Sequence, residues 1–168
     1  MNVAIRPALP SEIEAVREIE RASAQRFIGL MDALAADEPS PAEVLAARIA
    51  AGGLLVAETD GEIAAFVMSR PVGDSLYIEQ IDVLPAFERR RIGASLIHAV
   101  AERARAGGLP RLTLSTFRDV PWNAPYYRRL GFLDIDDKKL APDLAEIRRE
   151  HLARGLDETA RVFMQRPL

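Results

Sequence analysis

Residues 85–97, PAFERRRIGASLI, set Arg89, Arg90 and Arg91 against Ile92, Gly93, Ala94 and Ser95 at the start of a helical apolar stripe. A helix start carries roughly half a positive charge on its free N–H groups and normally favours acids. Cations placed there imply an anion held between them and the backbone. Arginine makes charge-assisted, often bidentate bonds to phosphate, and Gly93 lets an anion come close to the main chain. The chemistry on offer is recognition of a phosphorylated ligand by Arg89, Arg91 and the amides of Ile92, Gly93, Ala94 and Ser95. The same residues would also serve as a solvated turn followed by a packing glycine, and the motif by itself leaves both open.

Other chemistries are narrowed by what the chain lacks. With no cysteine there is no disulfide, thiolate nucleophile or cysteine metal site, and the two lone histidines, His98 and His151, make no ligand cluster, so no metal is expected. The net charge of −3 is unevenly spread: residues 1–82 carry 6 basic and 14 acidic side chains, and residues 83–131 carry 9 and 3. The basic excess surrounds the arginine motif, and the acidic first half suits a cationic substrate. The basic stretch is short and the whole chain acidic, which argues against nucleic acid as a partner. No run of about 18 apolar residues would cross a membrane, and the opening MNVAIRPALP lacks a signal-peptide pattern, so a cytoplasmic protein is expected.

Composition bounds the scaffold: 168 residues, 49% of them hydrophobic, suit one domain spanning 1–168 with a full core. Val3-Ala4-Ile5 predicts a strand, and Pro10-Ser11-Glu12 opens a helix with Ile13, Val16 and Ile19 on one face. A second helix follows Pro39-Ser40-Pro41, with Val44, Leu45 and Ile49 inward, while 27–34 is ambiguous. Asp60-Gly61 between two apolar runs is a hairpin signal. A strand over 75–84 stops at Pro85; the helix after it runs to about Ala106, its stripe formed by Ile92, Leu96, Ile97, Val100 and Ala104. Beyond Gly107-Gly108 come a strand over 111–115, a short helix over 123–130, a strand over 132–135, a helix over 143–153 and a strand over 161–164. The order is mixed α/β, with early antiparallel hairpins and a strand-helix-strand crossover in the middle.

On those residues the sequence resembles the GNAT superfamily of acyl-CoA-dependent N-acyltransferases. Ile81-Asp82-Val83-Leu84-Pro85 is similar to the end of the family's fourth strand. Glu88-Arg89-Arg90-Arg91-Ile92-Gly93-Ala94 is similar to its pyrophosphate loop, Q/R-x-x-G-x-G/A, and Asn123 through Phe132 resembles its Asn, Phe-Tyr and Leu-Gly-Phe segment. The loop departs from the pattern at Glu88, and at Arg91, where the family commonly has glycine. Arginine at that position predicts a loop without positive φ there.

The resemblance implies a central mixed, mostly antiparallel twisted sheet of about seven strands, flanked by helices and splayed between strands four and five. It implies acetyl-CoA as cosubstrate, with the backbone at Ile81 and Val83 binding pantetheine and polarising the thioester, and Asn123 on the pantetheine or diphosphate side. The amine attacks the thioester directly, so no covalent enzyme intermediate is needed. Glu79 matches the position where a family glutamate often acts as base; Asp82 is its rival, and strand alternation does not choose between them because the family has a bulge here. Tyr127 matches the aromatic that commonly protonates the leaving thiolate, a transfer uphill by ~2 kcal/mol, and Tyr126 matches an inward packing position. Asn123 would equally serve as a helix cap. His98 and His151 lie on polar helix faces and read as solvated, and Trp122, Phe27 and Met31 suit either core or an acceptor pocket.

The acceptor itself stays open. A small-molecule amine or amino acid, a protein N-terminus or lysine, and a non-catalytic acyl-CoA-binding module all fit. The terminal strand offers a route to a homodimer, as is common in the superfamily.

Overall fold

Asp60 and Gly61 both take positive φ, 52° and 75°, the mirror-image turn that matches the twist of the strands it joins. The structure in which they sit is a computed structural model that describes residues 2–35 and 38–168. Its elements are β1 (Val3–Pro7), α1 (Ile13–Ala24), α2 (Asp32–Ala35), α3 (Ala42–Ala50), β2 (Leu54–Thr59), β3 (Glu62–Val72) and β4 (Ser75–Val83). They continue through α4 (Ile92–Ala106), β5 (Arg111–Phe117), α5 (Ala124–Arg129), β6 (Leu133–Asp134), α6 (Pro142–Ala153) and β7 (Arg161–Pro167).

The strands form one seven-stranded sheet in the order β1-β2-β3-β4-β5-β7-β6. β1–β2, β2–β3, β5–β7 and β6–β7 are antiparallel, and β4–β5 is parallel. The parallel ladder runs only from Ser75↔Arg111 to Ile78↔Leu114, although β4 continues to Val83 and β5 to Phe117. This is the splay that the resemblance implied, and it frees the backbone groups on the β5 side of the end of β4 from ladder duty.

The chain divides into two compact units, Met1–Ser69 with Gln80–Ala99 and Arg70–Glu79 with Val100–Leu168. In the first, α1 buries Val16 and Ile19 against Leu45 of α3, Leu54 and Val56 of β2, and Phe66 and Met68 of β3. The 3.6-residue period of α1 and the near-continuous apolar runs of β2 and β3 produce this core directly. In the second, Leu144 and Ile147 of α6 pack with Tyr77, Phe163 and Ile135. Every member of the α4 stripe is buried, Ile92, Leu96 and Ile97 in the first unit and Val100 and Ala104 in the second.

Several boundaries differ from expectation. β5 and β7 are longer than their sequence signals because they pair along their whole length, Arg111↔Pro167 to Phe117↔Arg161. β6 is only two residues long: the Phe132 amide donates to the Tyr127 carbonyl at 3.0 Å, closing α5, so pairing starts at Leu133. The ambiguous stretch resolves into a 3-10 turn, Gln25–Phe27, and the single turn α2. No helix among the described residues is long and apolar enough to cross a membrane.

Candidate functional site

The loop after β4 is tied down at both ends. The Leu84 amide donates to the Ala64 carbonyl at 2.8 Å, a 3-10 turn spans Pro85–Phe87, and the Arg91 carbonyl accepts from both the amide and the hydroxyl of Ser95 at 3.1 Å. Between these anchors Arg89 and Arg91 adopt φ of 60° and 61°. Arg91 therefore takes the left-handed conformation that its identity argued against. The backbone geometry that glycine usually provides is kept, at a cost of about 1–2 kcal/mol. Neighbouring contacts hold the strained turn: Glu88 pairs with Arg26 at 3.0 Å, and the Arg90 guanidinium sits 5.2 Å from the centre of the Phe87 ring.

Left-handed residues in such a turn swing successive N–H groups toward one side, an anion-binding arrangement. The amides of Ile92, Gly93 and Ala94 precede the first i→i−4 bond of α4, which starts with Ser95 donating to Arg91. Ser95 thus uses its amide and hydroxyl within the helix, whereas the side chains of Arg89 and Arg91 lie on exposed residues. Arg91→Gly should relieve this strain and raise stability by about 0.5–1 kcal/mol, read as a Tm higher by roughly 1–4 °C.

The two carboxylates of β4 have different surroundings. Glu79 lies 3.4 Å from the Arg70 guanidinium, which in turn rests 5.9 Å from the Tyr77 ring centre. Asp82 lies partly buried in the first unit, where Ser23 Oγ donates to Oδ1 at 3.1 Å and Gln80 Nε2 to Oδ2 at 2.8 Å. Burial pushes its carboxyl up to about 6, with Glu20 acting in the same direction and the two hydrogen bonds and Arg26 acting against it. A carboxylate held near neutrality is suited to accept and release a proton at physiological pH.

Tyr127 is buried in α5, with its ring edge-on to Phe132 at 5.8 Å and to Tyr126 at 5.4 Å. Its neighbour departs from expectation: Tyr126 is only half-buried, with the Arg129 guanidinium 5.8 Å away, so the more inward ring of the pair is Tyr127. Asn123 does not cap α5 with its side chain, which donates to the Trp122 carbonyl at 3.1 Å. Of the histidines, His98 is exposed as expected, but His151 is mostly buried, 2.5 Å from Glu158 and stacked on Phe163. Its place one turn beyond Ile147 on α6 accounts for this.

In the first unit the structure brings together Asp82 with Ser23 and Gln80, beside Ile81, Val83 and the arginine loop; Glu79, Asn123 and Tyr127 belong to the second. Glu20, Ser23 and Gln80 are the polar residues that the sequence did not single out. A signal existed for two of them, because Glu20 and Ser23 lie on the same buried face of α1 as Val16 and Ile19, and polar side chains on an apolar stripe need a partner.

Comparison with known proteins agrees with this architecture. N-acetylglutamate synthase from Neisseria gonorrhoeae, complexed with coenzyme A and N-acetyl-glutamate, is 18% identical with a TM-score of 0.76, over 100% of this chain and 35% of that one. The paia N-acetyltransferase from Thermoplasma acidophilum, in complex with coenzyme A, is 15% identical with a TM-score of 0.74 over the full length of both chains. A GNAT family acetyltransferase from Brucella melitensis, in complex with acetyl-CoA, is 26% identical with a TM-score of 0.58, over 79% of this chain and 83% of that one. A sequence model of the acetyltransferase (GNAT) family matches residues 13–132, and the chain belongs to that family.

Proposed function

We propose that the chain acts as one acetyltransferase domain over residues 1–168, moving the acetyl group of acetyl-CoA directly to a primary amine of a small molecule or amino acid, in the cytoplasm and without a metal. The observation that carries this beyond family membership is Asp82, a partly buried carboxylate held by Ser23 and Gln80 and pushed up to about 6. An alkylamine with pKa near 10.4 costs roughly 4–5 kcal/mol to neutralise at pH 7. A base near neutrality at the acceptor lowers that barrier. Asp82 suits the role better than Glu79, whose carboxylate is engaged with Arg70.

The other parts follow from the chain's own residues. Arg89, Arg91 and the amides of Ile92, Gly93 and Ala94 take the diphosphate, assisted by the positive end of α4. The β4 backbone at Ile81 and Val83 holds pantetheine, and an N–H aimed at the developing oxyanion contributes about 2.7–4 kcal/mol. Asn123 binds along the pantetheine, and Tyr127 protonates the departing thiolate. A small acceptor is supported by the Neisseria gonorrhoeae structure, which contains the acetylated amino acid N-acetyl-glutamate. A homodimer through the terminal strand β7 would use the part of its outer edge beyond Met164 and Gln165, the two residues that pair with β6.

The test is release of free coenzyme A from acetyl-CoA across a panel of amino acids, alkylamines and peptides with free N-termini. Turnover with small amines and amino acids is expected, with kcat/KM falling below pH 6 as Asp82 protonates. Tyr127→Phe should slow turnover by about 10–100-fold while leaving acetyl-CoA affinity within about twofold. Turnover with peptides alone would transfer the acceptor assignment to proteins. Acetyl-CoA binding without turnover on any amine would make the chain a binding module.

A further inference from the structure

We propose that Glu20 is a positioning residue of the acceptor site, a buried second anion behind Asp82 that makes the site select a protonated amine and equips Asp82 to take its proton. This rests on the acetyltransferase reading above for what the bound ammonium becomes. α1 turns Val16, Ile19, Glu20 and Ser23 inward, and Ser23 reaches Asp82 at 3.1 Å. Glu20 lies one turn back on the same helix face, where side chains three apart are neighbours at about 5–6 Å.

Glu20 is fixed in place. Only 7% exposed, it accepts with Oε2 from the amide of Ser40 at 2.9 Å and from its hydroxyl at 3.2 Å, and the Ser40 carbonyl accepts from Arg17 Nε at 3.1 Å. That clamp leaves Oε1 buried and without a hydrogen-bond donor among the described residues. A desolvated carboxylate oxygen with no donor is costly and uncommon. Ser23, which donates to Asp82, shares its helix face with Glu20, so this uncompensated carboxylate acts on Asp82 and favours positive charge there.

The charges acting on Asp82 come from two elements besides its own strand. Glu20 on α1 favours its protonated form, and Arg26 in the 25–27 turn opposes it, while Arg26 also pairs with Glu88 at 3.0 Å; Gln80, on β4, is neutral. Two neighbouring carboxylates hold one proton or one ammonium more tightly than either does alone. An acceptor R–NH3+ is therefore drawn in as the cation and passes one proton to Asp82. The nitrogen lone pair of R–NH2 then forms the N–C bond, the C–S bond breaks, and its electron pair leaves on sulfur. The second nitrogen proton ends on that sulfur as CoASH, and Asp82 releases the first to solvent. The products are R–NH–acetyl, CoASH and H+.

Carboxyl-carbon NMR of Asp82 in the full chain tests this without turnover, using n-butylammonium chloride as probe and n-butanol as its uncharged control. Butylammonium should bind and move the Asp82 midpoint to lower pH, and butanol should do neither. In Glu20→Gln, whose amide oxygen can keep Ser40, butylammonium should bind roughly tenfold more weakly. The Asp82 midpoint should also fall, with acetyl-CoA affinity unchanged within about twofold. Equal binding of the two probes, or an unchanged affinity and midpoint in Glu20→Gln, would overturn the proposal. Should that variant not fold, the wild-type protein decides: an Asp82 midpoint that butylammonium leaves in place rejects the proposal. Failure of the acetyltransferase reading shows elsewhere, as absence of coenzyme A release on every amine.

Discussion

Asp82→Asn will lower kcat by about 10²–10⁴-fold, the range lost when a positioned general base is removed, and will make the protein more stable above pH 6. The second half of this result follows from linkage. The folded carboxyl is pushed up to about 6, above its unfolded value of 3.8, so the folded state binds the proton more tightly. Its contribution is therefore fully present below pH 3.8 and is lost as pH rises through 6. At neutral pH the fold carries a carboxylate that burial disfavours, at a cost of order 1–3 kcal/mol given its partial exposure. Asparagine removes that charge while retaining groups to meet Ser23 and Gln80. Thermal unfolding of the two proteins at pH 5 and pH 8 checks it: the variant's advantage should be larger at pH 8, by up to several degrees in Tm. Equal kcat would remove Asp82 from the chemistry, and an advantage that shrinks with rising pH would contradict the origin assigned to its proton affinity.

Gly53→Ala should destabilise the fold strongly. A β-carbon at Gly53 would stand 2.2 Å from the Ser69 carbonyl oxygen, and that neighbour is backbone. The strand cannot step aside, since the Ser69 amide donates to the Gly53 carbonyl at 2.8 Å and the Gly53 amide donates to the Arg48 carbonyl at 2.8 Å. Relief requires breaking the start of the β2–β3 ladder where it meets the end of α3. A loss of about 3 kcal/mol is expected, or roughly 6–12 °C in Tm. Gly61→Ala makes the contrast: its β-carbon meets nothing within 4 Å, and only its φ of 75° resists the change, so about 1 kcal/mol should be lost. Similar melting temperatures for the two variants would contradict this account.

Elements announced by strong periodicity were legible in the sequence. The α1 stripe, the Asp60-Gly61 hairpin and the Ile92-to-Ala104 face of α4 all follow from local spacing, and each is buried or turned as spacing requires. What local pattern does not carry is the partner. The extra residues of β5 and β7 are strand because each completes the other's ladder, and His151, on the inward face of α6, is covered by Glu158 and Phe163 from the turn and strand that follow the helix.

The site divides the same way. The arginine motif and its helix were readable, whereas the conformation of Arg91 was misread from residue type, because contacts on both sides of the loop fix a φ that arginine alone would avoid. The surroundings that set Glu79 apart from Asp82 come from Arg70, Ser23 and Gln80, and only Gln80 is a sequence neighbour of both acids.

The position of β7 bears on how the chain reaches this structure. β7 follows β5 and β6 in the chain, yet it lies between them in the sheet. Until it is synthesised, β5 has an open edge along its length and β6 has no strand to join, while all of α5, β6 and α6 intervenes. Closing so long a loop is slow, and an unpaired apolar edge such as Leu112 and Leu114 invites pairing with other chains in the meantime. The second unit's strands are thus expected to pair late, with the first unit's hairpin formed well before them.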